Sequence, residues 1–393
     1  MHRSNLRAAL RTSLWFGAAA WLLGGCSLLT SPPEPESPGP AVVAVKGPDP
    51  KAPRLAAVET RHVELAKGQD LIGETQVLFA RYENTFSTIG RQFNLGYEEL
   101  RRANPGVDQW LPGEGTPIYL PTQSILPEVP REGIVVNVPA MRLYYFTTEK
   151  GATEKAGQAG APAVLKVTSH PIGIGVEGWA TPFGEAKVTQ KVKDPIWYVP
   201  ASIRKEHADR GDPLPSVVKP GPDNPLGAYA LTLSLPSYLI HGTNLPAGVG
   251  MRSSHGCIRL YPEDIEALFQ RVPRGTTVRI VNQPVLAGWR EGQLYLEVHP
   301  PLAEEQHDLV AEADAALHRA IERAGADPAA VAIDHSGVEK IVAEQRGIPL
   351  PVLRGNASLD QYLASVRIVE NTVPVAVAEE TARLAEPAVN AGR

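Results

Sequence analysis

Proline constrains this chain first: 37 of its 393 residues are proline. Each one fixes φ at about −65° and removes a backbone donor, so helix interiors and central strands tolerate few of them. That density argues against a helix bundle and predicts extended linkers with loop-rich β structure. The length suits two or three domains. A hydrophobic share of 43% and a charged share of 21% are ordinary for a globular protein. The net charge of −5 gives no footprint for a polyanion, so no nucleic-acid partner is expected.

The N-terminus has the layout of a targeting segment. Arg3, Arg7 and Arg11 precede a mostly apolar run from Leu14 to Leu23, too short for a comfortable transmembrane helix. The run closes on Leu23-Gly24-Gly25-Cys26, which resembles a bacterial lipobox. That resemblance implies a lipoprotein signal over 1–26, lipid on Cys26 and, with Ser27 following, a periplasmic protein held at the outer membrane by its N-terminal lipid. A plain secretory signal with a chance cysteine is the alternative. Residues 27–61, containing "SPPEPESPGP", are expected to be an extended tether. The chain has two cysteines. If Cys26 carries lipid, Cys257 is a solitary thiol in an oxidising compartment, and so a candidate nucleophile.

Three further regions follow. In 62–123, Phe86, Ile89 and Phe93 recur at helical spacing, Gly96 opens a second helix that stops at Pro105-Gly106, and Pro117–Pro121 has a strand pattern. This strand, helix, helix, strand order, with its Ala-Asn-Pro run, resembles a LysM glycan-binding module; a spacer that binds nothing is the other reading. Residues 131–281 turn to β alternation, as in Ile134–Val138, Met141–Phe146, Tyr229–Leu233 and Tyr238–His241, followed by a helix from Pro262 and a closing strand to Val281. The extension 283–393 is expected to hold a strand at Gln293–Val298. A helix should follow with Leu309, Ala313, Leu317, Ile321 and Ala324 on one face, then a second from Val338 to Arg346 ended by Gly347. The last thirty or so residues have the composition of a poorly ordered tail.

The chemistry concentrates in "IHGTNLPAGVGMRSSHGCIRL", residues 240–260. Thiol catalysis needs a sulfur, a base and donors for an oxyanion. Cys257 supplies the sulfur. His241, sixteen positions earlier, ends an apolar strand and is joined to it by a Gly- and Pro-rich loop that can fold back. Gly256 allows close backbone approach, and the N–H groups of Gly256 and Cys257 are candidate oxyanion donors. Arg259 is placed to attract a carboxylate, or to form a structural salt bridge.

The pattern His241-Gly242…Ser254-His255-Gly256-Cys257-Ile258-Arg259 resembles the signature of L,D-transpeptidases with the YkuD-type catalytic domain. The resemblance extends over "REGIVVNVPAMRLYYF", "ATPFGEAKV" and "LYPEDIEALF", and the preceding LysM-like unit is similar to the ErfK/YbiS group. It implies an α+β, mainly β fold: a β-sandwich-like catalytic domain over 131–281, the small LysM-like α/β module and a partly helical C-terminal region. It implies Cys257 as nucleophile, His241 as base, the Gly242 carbonyl orienting His241, His255 in support, and Ser254 and Arg259 at the substrate. The implied partners are peptidoglycan stem peptides, with an outer-membrane lipoprotein lysine or a diamino-acid side chain as acceptor, and no cofactor. Hydrolysis through the same thioester and a silent wall-binding lipoprotein are the alternatives.

Other readings fit less well. His241, His255 and Cys257 lack an evident fourth ligand for zinc, so no metal is expected. A papain-like peptidase places its cysteine before its histidine, the reverse of this order, and a sortase separates the pair by more chain. Gly173–Gly178 matches G-x-G-x-x-G, but Pro182 follows where a dinucleotide fingerprint needs a helix. A strand and turn is expected there.

Overall fold

The computed structural model describes residues 63–149 and 163–374. The signal segment with Cys26 and the tether 27–61 lie outside the described residues, as does the chain from 375 onward.

The alternating apolar segments assemble one large curled sheet of nine strands. Its order is Val63–Leu65, Val164–Pro171, Arg142–Glu149, Gly133–Asn137, Thr277–Val281, Gly184–Lys193, Tyr229–Leu233, Leu239–His241 and Ile258–Arg259. Neighbours run antiparallel except for two parallel pairs, Thr277–Val281 with Gly133–Asn137 and Leu239–His241 with Ile258–Arg259. Period-two alternation sends Ile134, Val136, Leu143 and Tyr145 to one face, where they meet Leu231, Ile240 and Ile258. Val135, Tyr144 and Phe146 point to the other face and pack with Leu65, Ile72 and Val167. With seven α-helices among the described residues, the fold is mixed α/β. One continuous curled sheet is its main element.

The helix Pro262–Arg271 follows the cysteine strand directly. Pro262 opens it, Glu263 and Asp264 stand in its first turn, and Ile265 and Leu268 are buried against the sheet. Burying such aliphatic side chains is worth about 1.5–3 kcal/mol each, enough to anchor the strand Ile258–Arg259 before it.

Between the sheet strands Val63–Leu65 and Gly133–Asn137, the segments Gln76–Phe79, Phe86–Phe93, Tyr97–Ala103 and Pro117–Leu120 form strand, helix, helix and strand. Thr85 caps the first helix, and Asn94 ends it in the left-handed region at φ 56°. This unit is not self-contained. Arg142 in the large sheet pairs with buried Glu99 at 2.6 Å. Arg367–Ile368 adds a parallel strand to Gln76–Val77, and Val369 and Val373 join the core around Phe86, Ile89 and Phe93. The expectation of a poorly ordered tail therefore fails for residues up to 374. The reason is long-range: the segment covers an otherwise open strand edge at the opposite end of the chain, which no local period reveals.

The C-terminal extension places the hairpin Val285–Arg290 and Gln293–Val298 beside Leu350–Pro351. Ala313, Leu317 and Ile321 of the helix Leu309–Arg323 are buried in its core, as the spacing predicts. The next helix, His335–Glu344, stops earlier than Gly347, because Gln345 takes the left-handed conformation at φ 48°.

Candidate active site

Two strands build the site. Leu239–His241 and Ile258–Arg259 pair in parallel, Ile240 opposite Ile258 and His241 opposite Arg259. Ile240 and Ile258 are buried in the core, so alternation turns His241 and Arg259 to the opposite face. Cys257 immediately precedes the second strand. The intervening loop thus folds back and returns the chain to the strand that ends in His241.

His241 is buried, and its Nδ1 lies 2.7 Å from the Gly242 carbonyl oxygen. A carbonyl only accepts, so Nδ1 donates and Nε2 is left as the acceptor. Burial and the Arg259 charge push the His241 pKa down to about 3, against hydrogen bonds to the Gly242 and Leu226 backbone that favour protonation. The ring is neutral at neutral pH. Cys257 is partly exposed, and its Sγ–H is directed to the Ser237 carbonyl at 3.7 Å. Burial pushes its thiol pKa up, opposed by the Leu239 backbone and the Arg259 charge. The resting pair is therefore a thiol and a neutral imidazole rather than an ion pair.

Gly256 has φ +95°, and a Cβ there would lie 2.7 Å from Tyr238 Cε1. That conformation and the close tyrosine ring together call for glycine beside Cys257. The N–H groups of Gly256 and Cys257 form no backbone hydrogen bond among the described residues. Gly242 is also tight, since a Cβ would lie 3.1 Å from Ile265 Cγ2.

Arg259 donates to the Ser253 hydroxyl at 3.3 Å, while its buried Nε has no partner and burial pushes its pKa down. Among the described residues it forms no ion pair with a carboxylate, so the structural salt bridge is not formed. Ser254, expected at the substrate, is instead buried, and its hydroxyl donates to the Cys257 carbonyl at 2.6 Å. It shapes the loop rather than facing a ligand. His255 Nε2 is 3.0 Å from Glu206 Oε2, and its ring packs edge-on against Trp179 at 5.0 Å.

Sequence reasoning missed Glu206 and Ser237. Glu206 lies on the helix Ala201–Asp209, in a stretch with no motif; its proximity to His255 is purely tertiary. Ser237 adopts φ 69°, a left-handed conformation uncommon for serine, and nothing local signals it. Thr181 of "ATPFGEAKV" accepts from the Gly175 N–H and donates to the Gly256 carbonyl, each at 3.1 Å. The G-x-G-x-x-G stretch forms the short strand Ile174–Gly175 and a turn, and opens no helix.

Residues 131–280 match the L,D-transpeptidase catalytic domain family, YkuD. Among curated proteins, the probable L,D-transpeptidase YbiS of Escherichia coli K12 is 42% identical over 240 residues, covering 60% of this chain and 74% of that protein. The probable L,D-transpeptidase ErfK/SrfK of Salmonella typhimurium is 36% identical over 302 residues, covering 75% of this chain and 91% of that one. The probable L,D-transpeptidase YcfS of Escherichia coli K12 is 40% identical over 249 residues, covering 61% and 73%.

Proposed function

The chain belongs to the L,D-transpeptidase family, and from that premise we propose that Cys257 attacks the third-residue carbonyl of a peptidoglycan stem tetrapeptide. The observation that supports this most is the parallel pairing that sets His241 opposite Arg259, two residues from Cys257. The His241 Nε2, made an acceptor by the Nδ1 bond to Gly242, takes the thiol proton as sulfur bonds to the carbonyl carbon. The oxyanion of the tetrahedral intermediate accepts from the Gly256 and Cys257 N–H groups. His241 returns the proton to the departing D-Ala amine, leaving a thioester. An amine acceptor, losing its proton to His241, resolves the thioester and frees Cys257. Arg259, with no carboxylate of its own, holds a substrate carboxylate. His255, held by Glu206, supports the loop.

The acceptor in this reading is the C-terminal lysine of an outer-membrane lipoprotein. The lipobox at Cys26 and the tether 27–61 would hold the enzyme in the periplasm between outer membrane and wall. The diamino-acid side chain offers the same amine, and the absence of one product separates the two: loss of the gene lowers sacculus-bound lipoprotein if the first holds, and diamino-acid crosslinks if the second does. The LysM-like unit binds glycan in this reading, a role to which its exposed Tyr82 and Trp110 are suited. Sacculus pull-down of Trp110→Ala against wild type tests it.

The test of the reaction is mass spectrometry of a tetrapeptide muropeptide incubated with enzyme, with and without an amine acceptor. D-Ala release and acceptor coupling are expected. D-Ala release that ignores the acceptor would make the enzyme a hydrolase, and turnover by Cys257→Ala would remove the nucleophile.

A further inference from the structure

The loop between the two reactive strands has little structure of its own. Its regular elements are the single turn Pro246–Gly248, with Leu245 before it exposed, and the three-residue strand Arg252–Ser254, which pairs in parallel with Ile174–Gly175. Its shape is imposed from outside, on both sides. On the N-terminal side, the first N–H groups of the helix Tyr97–Ala103 donate to the Val249 and Gly250 carbonyls at 3.3 and 3.1 Å. A Cβ on Gly250 would lie 2.3 Å from Gly96 Cα. On the C-terminal side, Arg252 makes a two-pronged ion pair with Glu304 at 2.9 and 2.6 Å, and its Nε donates to the Gly175 carbonyl at 3.0 Å.

We propose that the Arg252–Glu304 pair positions the nucleophile loop, so that the C-terminal extension sets the alignment of Gly256 and Cys257. The proposal rests on the reading of Cys257 as nucleophile. The path from Glu304 to the nucleophile is short. Arg252 fixes Gly175, and a Cβ on Gly175 would stand 3.0 Å from Gly256 Cα. Thr181 then joins the Gly175 N–H to the Gly256 carbonyl. A carboxylate–guanidinium fork sets direction as well as distance. The pair is about one-quarter exposed on each side, so it adds little to stability. Misplacing a reacting group by about 1 Å, however, can cost on the order of 100-fold in rate. A positioning pair therefore shows itself in turnover while the fold stays intact.

The test uses the full chain with Glu304→Gln, Arg252→Gln and the double variant, each compared with wild type in kcat, KM and Tm. Glu304→Gln is expected to lower kcat about tenfold, with KM within about twofold and Tm within about 2 °C. Arg252→Gln should lose more, because the Gly175 carbonyl is then unpaired as well. The double variant should be no slower than Arg252→Gln, since Glu304 acts only through Arg252. Wild-type kcat in Glu304→Gln, or losses that multiply in the double variant, would overturn the proposal. So would a kcat loss that disappears once activity is expressed per folded molecule. Cys257→Ala in parallel keeps the two readings apart: turnover there removes the functional reading, whereas an inactive Cys257→Ala beside a fully active Glu304→Gln removes only this one.

Discussion

Replacing His241 by Asn tests the electrostatics of the site directly. Asparagine keeps a donor for the Gly242 carbonyl but cannot titrate. In the folded chain burial and Arg259 push the His241 pKa from 6.5 to about 3. Between those values the unfolded chain binds a proton that the folded chain does not. Folding stability contributed by a neutral His241 is therefore complete above about pH 6.5 and is lost as pH falls towards 3. At about 1.4 kcal/mol per tenfold change in proton concentration, acidification from pH 7 to pH 5 should cost roughly 2 kcal/mol through this residue alone. Urea denaturation of both proteins at the two pH values measures it. The wild type should lose roughly 2 kcal/mol more than His241→Asn over the interval. Equal losses within about 0.5 kcal/mol would mean that the ring is protonated or exposed in the folded state, contrary to a neutral base poised to take the thiol proton.

Other outcomes follow from the same geometry. Because burial raises the Cys257 pKa and His241 is neutral, thiolate absorbance near 240 nm should be lacking at pH 7, and an absorbance step lost in Cys257→Ser would show an ion pair instead. Gly256→Ala should lower kcat by on the order of 100-fold, because its Cβ would meet Tyr238 beside the nucleophile; steady-state kinetics with a check by circular dichroism distinguishes this from unfolding. His255→Ala should slow the reaction less than His241→Ala, which removes the base, and the reverse ranking would exchange their roles. Truncation after Ser365 removes the buried Val369 and Val373 and should destabilise the chain by roughly 3–6 kcal/mol, read as a fall in Tm.

The pairing of the two strands of the candidate site was legible because they are close in sequence and their period is simple. Ile240 and Ile258 announce two core-facing positions, and the residues flanking each must then face the other way. Gly256 stands where a Cβ would collide, and Gly242 where one would be tight. What stayed hidden is tertiary. Ser254 reads as a ligand contact in the motif, yet its hydroxyl closes on the Cys257 carbonyl. Glu206 meets His255 from a helix that carries only Ile203 into the core, too weak a stripe to announce a docking face. The strand Arg367–Ile368 has two residues and no period to detect. Its place depends on the open edge of Gln76–Phe79, which local propensity cannot report.

That late strand also governs when the molecule can be finished. A chain emerging N-terminus first presents Gln76–Phe79 and its helices long before Arg367–Val373 exist to cover them. The first unit to appear must wait for the last segment to arrive, and Arg252 must wait for its partner Glu304. Contacts of such separation form slowly. Completion of this unit is thereby tied to completion of the polypeptide, so that truncated chains carry the whole signature from His241 to Arg259 without the segment that covers the open edge of Gln76–Phe79.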